Sequence, residues 1–255
     1  MAEQTPELQF YYWPLRGLGH PLINLLELTG IPHKVNLLAK DPVAYENIHV
    51  KKFADAKVHF SNLPYIEHGG TLLTETDAIA CHIANAAGKP ELFITKDNAL
   101  RFLQLSGVIK DLAQAITTIV FDCKDLDELR ERYQAKAAAR YGRKAAELDD
   151  YLTDKKFLLG DQVTYLDLLF AEYVEKTIAM EKDLGVEINS NKENFVRVMN
   201  NVYEIPQIKA YRGPTSMDLL VVSGTAGSLS GSNSVASVRA DWSLPLPRVR
   251  IDRKT

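Results

Sequence analysis

The residues best placed to do chemistry are Thr74-Glu75-Thr76-Asp77, at what reads as the start of a helix, with Pro64 and Tyr12 at strand positions upstream. The first turn of a helix leaves backbone N–H groups unpaired and carries the positive end of the helix dipole, so it can hold a carboxylate. Glu75 or Asp77 beside it could hold an ammonium. A ligand carrying both charges, such as the amino-acid end of a peptide, fits that description. The same residues also describe an ordinary helix cap after an ordinary hairpin, with Thr74 and Asp77 spaced as a capping box. Pro64 heads a strand, where a trans proline would waste a ladder donor, and this predicts a cis Leu63–Pro64 bond.

The elements that must position these groups follow from periodicity. Leu8-Gln9-Phe10-Tyr11-Tyr12 is aromatic and β-rich and predicts a first strand. Apolar residues at helical spacing from Leu18 to Leu28 predict a helix with Pro21 in its first turn and an end before Gly30. Gly17-x-Gly19 lacks the third glycine of a dinucleotide fingerprint. His33 to Leu38 reads as a second strand and Asp41 to Phe53 as a short polar helix. Leu63–Glu67, the turn His68-Gly69-Gly70 and Thr71–Thr74 read as a hairpin, and Glu75–Ala87 as a helix closed by Gly88. The order β-α-β-α-β-β-α describes a compact α/β unit with a four-stranded mixed sheet.

After Lys89-Pro90-Glu91-Leu92 the β pattern vanishes. Asp97–Asp122 predicts a long helix with Leu100, Leu103, Val108, Leu112 and Ile119 in its apolar stripe, and Leu126–Leu152 a second. Thr164-Tyr165-Leu166-Asp167 is a capping box, with Val163 and Leu168 as a hydrophobic staple, opening a helix to about Met180. Two further helices cover Asn194–Tyr203 and Ile205–Tyr211. The reading is therefore 1–88 for the α/β domain, 89–96 for a linker, 97–212 for an all-helical domain and 213–255 for a tail. The Ser/Gly-rich stretch VVSGTAGSLSGSNSVASV in that tail cannot bury enough surface to offset its ordering entropy, and disorder is expected there.

Composition narrows the function. A net charge of −3 provides no basic footprint for nucleic acid or an anionic membrane. No apolar run reaches a spanning length, and MAEQTPELQF lacks the features of a secretory signal. Two cysteines, Cys81 and Cys123, are too few for a disulfide scaffold and read as free thiols in a reducing compartment. The six histidines show no metal-binding spacing, so no metal is expected. The chain reads as cytoplasmic.

Taken together these residues resemble the cytosolic glutathione transferases. Tyr12-Trp13-Pro14-Leu15-Arg16-Gly17-Leu18 resembles the family's N-terminal motif, Asn62-Leu63-Pro64-Tyr65 its cis-proline turn, and Thr74-Glu75-Thr76-Asp77-Ala78-Ile79 its γ-glutamyl-binding segment. Gly160-Asp161-Gln162-Val163-Thr164-Tyr165-Leu166-Asp167 is similar to the capping motif of the family's helical domain, and Ile205-Pro206-Gln207-Ile208 to its last helix. The resemblance spans residues 8–212 and is greatest to the mu class, with pi-like features at Trp13–Arg16 and Gly160–Gln162. It departs at Asn24, where mu members carry an arginine, in the altered 41–58 region, and in the tail that stands where a closing segment is usual.

The resemblance implies a thioredoxin-like N-terminal domain with a C-terminal helical bundle, a homodimer, and conjugation of the glutathione thiolate to small hydrophobic electrophiles. Glutathione would be a co-substrate, with no cofactor. Tyr12 would donate its hydroxyl to the sulfur and favour the thiolate; Tyr11, facing the opposite side of the strand, is the better candidate for a core aromatic. Trp13, Leu18, Asn62, Leu63 and Pro64 would bind the peptide, Lys52 the glycyl carboxylate, and Glu75 and Thr76 the γ-glutamyl end. Asp111 would reach in from the partner subunit. Phe121 would line the electrophile pocket, His49 would stand in for a missing tryptophan, and Phe60 matches the aromatic key of mu and pi dimers. Three rivals stand beside this reading: a ligandin-like binding protein, a glutathione-dependent isomerase, and a thiol-disulfide enzyme. The last lacks a cysteine at the first strand–helix turn.

Overall fold

The structure is a computed structural model and describes residues 6–13, 16–38 and 42–215. Within the N-terminal part, β1 (Leu8–Tyr12), α1 (His20–Thr29) and β2 (His33–Leu37) form a parallel β-α-β unit. A helical stretch follows, comprising α2 (Pro42–Ala44), a π-helical turn (Tyr45–Val50) and α3 (Lys51–Asp55). The antiparallel hairpin β3 (Tyr65–His68) and β4 (Thr71–Thr74) then leads into α4 (Thr76–Ala86). The four strands are ordered β2-β1-β3-β4, with β1 antiparallel to β3. This is a thioredoxin-like sheet, followed by helices α5 (Ala99–Asp122), α6 (Leu126–Ala137), α7 (Arg140–Tyr151), α8 (Tyr165–Leu184), α9 (Glu193–Tyr203) and α10 (Pro206–Thr215).

Two local signals act as read. Pro21 sits in the first turn of α1, and Gly30 ends it in the left-handed conformation at φ 72°, donating its N–H to the Leu26 carbonyl. The Leu63–Pro64 bond is cis. All nine residues from His20 to Leu28 are buried, because α1 packs against α4 on one side and against α8 and α10 on the other. A helix apolar over most of its circumference belongs in such a position.

Helix α8 is central to the helical part, touching α1, α5, α6 and α9. Its capping box is formed: Asp167, fully buried, accepts from the Thr164 N–H at 2.7 Å and the Thr164 hydroxyl at 2.9 Å. The same carboxyl accepts from the Leu158 N–H at 2.7 Å, which ties the preceding turn to the helix. Burial nevertheless pushes it up to about 6. Helix α8 continues four residues beyond Met180, to Leu184, where Gly185 turns left-handed.

Several expectations are corrected. The stretch from Leu126 to Leu152 is two helices, broken at Ala138–Ala139. A Cβ on Gly142 would lie 1.8 Å from the Ala137 carbonyl, so the chain passes itself at a contact only glycine permits, and an Ala-rich sequence carries no periodicity signal for it. On α5, Leu100 and Leu103 are exposed, while Phe102, Leu105, Ile109, Leu112, Ile116 and Ile119 face the core. The cap of α4 is also different. Thr74 Oγ1 donates to the Phe60 carbonyl, and Glu75 occupies the N-cap at φ 69°, so the Thr74–Asp77 box does not form. Gly88 does adopt the left-handed conformation, at φ 67°. Most of the tail read over 213–255 lies outside the described residues, and α10 runs to Thr215. Among the described residues no helix is long and apolar enough to cross a membrane.

Candidate functional site

Strand alternation places Leu8, Phe10 and Tyr12 on one buried face of β1, with Gln9 and Tyr11 on the other. Tyr12 is therefore the deeper of the two tyrosines, with 6% of its surface exposed, which corrects the assignment of Tyr11 as the core aromatic. Its ring lies on Gly19, where a Cβ would come within 2.4 Å of Cδ1. Its hydroxyl oxygen accepts the Leu18 N–H at 2.9 Å. Burial raises the phenol above its ordinary value, the Leu18 N–H opposes that rise, and Glu172 adds to it. The group is thus a protonated hydroxyl at neutral pH. Its oxygen is already served by a backbone donor, so its own proton is free to be donated.

Around the cis bond, Asn62, Leu63, Pro64 and Glu75 come together. Asn62 Nδ2 donates to Glu75 Oε1 at 3.2 Å, and Asn62 Oδ1 accepts the Leu63 N–H at 2.9 Å. A peptide seeking that N–H would displace the asparagine. Asn62 and Glu75 are exposed, Leu63 and Pro64 buried, and Thr76 opens α4 half-buried. A non-glycine residue at φ 69° is uncommon, and Glu75 holds its carboxylate at the helix mouth by adopting it. Asp77 is turned away into an ion pair with Lys110.

Lys52 is placed differently from its expected role. It pairs with Glu67 on β3 and lies 5.1 Å above the Tyr11 ring, so its charge is already engaged. Tyr11 stacks on Tyr65 at 4.4 Å, and His49 bonds the Tyr65 hydroxyl at 2.7 Å while stacking on Tyr45. Trp13, half-buried, packs on Tyr45 at 5.4 Å. Burial, followed by Lys52, lowers the His49 imidazole, which keeps it neutral. Leu18 is exposed, above the turn that carries the Tyr12 bond. Asp111 stands on the solvent face of α5, paired with Lys144 at 2.5 Å. The Phe121 side chain lies outside the described residues, as do Pro14 and Leu15. Phe60 is 84% exposed at φ 65°.

Motif reading missed a buried charge cluster beneath the turn that follows β1. Arg16, only 2% exposed, donates through Nε to Glu172 at 3.1 Å and through Nη2 to Glu172 and Glu175. His20 Nδ1 lies 2.8 Å from Glu172, Lys176 reaches the same carboxylate at 3.3 Å, and Arg212 and the Tyr203 hydroxyl hold Glu175 at 2.7 Å. The available signal was that Glu172, Glu175 and Lys176 stand next to Phe170, Ala171, Tyr173 and Val174 in the middle of α8. Burial alone would raise the Glu172 carboxyl, but Lys176, His20 and Arg16 outweigh it and hold it well below the usual range. Burial lowers His20, which stays neutral and donates Nδ1–H to Glu172.

These shifts predict acid sensitivity. A histidine lowered in the native state costs stability as pH falls through the unfolded value near ~6.5, because the unfolded chain takes up the proton first. A carboxyl held low costs stability as pH falls below its unfolded value near ~4.3. Asp167, pushed up to about 6, acts in the opposite sense, adding stability as pH falls from its folded value toward the unfolded one near ~3.9. The urea midpoint is expected to drop between pH 7.5 and 6, and His20→Gln to flatten that slope. An unchanged slope in the variant would assign the loss elsewhere.

The chain is similar to known proteins in sequence and in fold. Residues 110–214 match the family model for the glutathione S-transferase C-terminal domain. The chain is 26% identical over 195 residues to glutathione S-transferase 2 of Gallus gallus, covering 73% of this chain and 82% of that protein. It is 27% identical over 174 residues to the class-mu 26 kDa glutathione S-transferase isozyme of Schistosoma japonicum, covering 67% and 73%. Among solved structures, a nematode-specific GST of C. elegans superposes with a TM-score of 0.65 at 19% identity, covering 82% of this chain and 97% of that one. Rat hPGDS, solved with a bound quinoline, superposes with a TM-score of 0.61 at 18% identity, covering 81% and 96%. At such identities the superpositions establish the fold.

Proposed function

We propose, for a chain that belongs to the glutathione S-transferases and is mu-like within them, that it activates the glutathione thiol at Tyr12 and conjugates it to small hydrophobic electrophiles. The observation that carries this reading is the Tyr12 hydroxyl, protonated by burial and accepting the Leu18 N–H. A hydroxyl so placed donates to a sulfur and stabilises the thiolate without losing its own proton. The γ-glutamyl end would meet Glu75 and the Thr76 end of α4, with Asn62 and Leu63 along the peptide and Trp13 beside it. The catalytic contribution is proximity and thiolate stabilisation, with no covalent intermediate on the protein.

In this reading Lys52 contributes to a glycyl carboxylate subsite only by sharing its charge with Glu67. Asp111 would serve a partner's site by exchanging Lys144 for the ligand ammonium. The exposed Phe60 ring supports a homodimer, because an aromatic held outward at an unfavourable φ is a feature expected of an interface. Free Cys81 and Cys123 support a cytoplasmic setting.

The test is calorimetric glutathione binding together with conjugation of glutathione to a generic aryl halide. Binding with turnover is the expected result. Binding without turnover would favour the ligandin-like role. No binding would remove the site and leave the fold alone.

A further inference from the structure

Lys176, on α8, donates from Nζ to the Gly17 carbonyl oxygen at 3.2 Å. That carbonyl and the Leu18 N–H belong to one peptide group, and the Leu18 N–H is the donor that the Tyr12 hydroxyl accepts at 2.9 Å. A cation on the oxygen end of a peptide draws electron density from its nitrogen and strengthens the N–H as a donor; hydrogen bonds in such chains polarise one another. The sequence of contacts is ammonium, carbonyl, amide N–H, phenol oxygen, phenol proton. We propose that Lys176 is a positioning residue for Tyr12, acting through the Gly17–Leu18 peptide group to make the phenol a stronger donor to a bound thiolate.

The geometry around this peptide favours such a role. Gly17 has φ 36°, a left-handed value that favours glycine, and its carbonyl meets Lys176 of α8. The turn is held on both sides, by Arg16 on Glu172 and Glu175 and by His20 on Glu172, so the peptide cannot simply rotate away. Charged and titratable groups facing the site are Arg16 from the turn, the neutral His20 from α1, Glu172, Glu175 and Lys176 from α8, and Arg212 from α10. Of these, Glu172 opposes ionisation of Tyr12, and Lys176 both offsets that carboxylate and reaches the peptide. Removing Lys176 leaves Glu172 still bonded by Arg16 and His20, so no buried charge is stripped of its partners.

The proposal rests on the reading of Tyr12 as thiolate donor, and its test separates the two. The Tyr12 phenol is titrated by NMR of ring-labelled tyrosine in the ligand-free chain, for wild type, Lys176→Met and Lys176→Arg. The bound thiol is then titrated by its ultraviolet thiolate absorbance in the glutathione complex. Lys176→Met is expected to raise both titrations, the thiol by roughly half to one unit, a three- to tenfold smaller thiolate fraction below its midpoint. Its kcat–pH profile should move to higher pH while the glutathione KM stays near wild type, and Lys176→Arg should restore the profile. Equal phenol titrations in wild type and Lys176→Met would overturn the relay, as would a uniform loss of activity at every pH, which marks a merely structural contact. If the wild type binds no glutathione, the reading of the site fails, and the phenol titration still decides the relay.

Discussion

Tyr12→Phe is expected to lower kcat for glutathione conjugation by about 10²–10³ while leaving glutathione affinity nearly unchanged, on the scale seen when a preorganised donor to developing negative charge is removed. The variant keeps the aromatic ring on Gly19 and removes only the hydroxyl, so packing of the β1 face is preserved. Two things change. The thiolate loses its donor, and the Leu18 N–H loses its acceptor. The first is a rate effect concentrated at low pH, because the thiol must then ionise unaided. The second loosens the turn and adds a smaller stability loss, of about 1 kcal/mol for an N–H that the exposed Leu18 lets water reach. Tyr11→Phe is the control. It stacks on Tyr65 from the other face of the strand, and its replacement should leave the rate near wild type. A Tyr12→Phe enzyme with wild-type kcat across pH 6 to 8 would refute the thiolate-donor role.

Asp167→Ala is expected to destabilise the fold far more than Tyr12→Phe or His20→Gln. The carboxylate is fully buried and serves three donors, the Leu158 and Thr164 N–H groups and the Thr164 hydroxyl. Alanine leaves two backbone donors buried without acceptors, at about 1–3 kcal/mol each, and removes the cap of the helix on which the bundle is built. A loss of about 3–5 kcal/mol follows, a fall of roughly 6–20 °C in the melting temperature for a chain of this size. Asp167→Asn keeps one acceptor but adds an amide with no buried partner, and should fall between wild type and Asp167→Ala. Thermal unfolding followed by circular dichroism reads the series. A fall of only a degree or two in Asp167→Ala would mean that water enters and serves those donors.

The legible and illegible parts of this chain differ in the sequence distance over which they are set. Pro21 and Gly30 bracket α1, Thr164 and Asp167 cap α8, and the β-hairpin turns at Gly69-Gly70, as read, because each signal acts within a few residues. The outward face of α5 was misread for the opposite reason. Leu100 and Leu103 suit a helix equally well inside or out, and only the arrival of α6, α7 and α8 against the other face decides which leucines are covered.

The candidate site shows the same division. The types and order of Tyr12, Asn62, Leu63, Pro64, Glu75 and Thr76, and the resemblance they carry, are properties of the sequence alone, as is the four-stranded mixed sheet that brings them to one end. Which tyrosine of β1 is buried, the capture of Lys52 by Glu67, and the turn gripped by α8 were decided by the tertiary structure. The contact between Arg16 and Glu172 spans 156 residues, and that between Lys176 and Gly17 spans 159. The physical reason is that a charge acquires its partner and its dielectric surroundings only when packing removes water from both. No local pattern near Tyr12 records that a lysine on a distant helix closes on the peptide beside it.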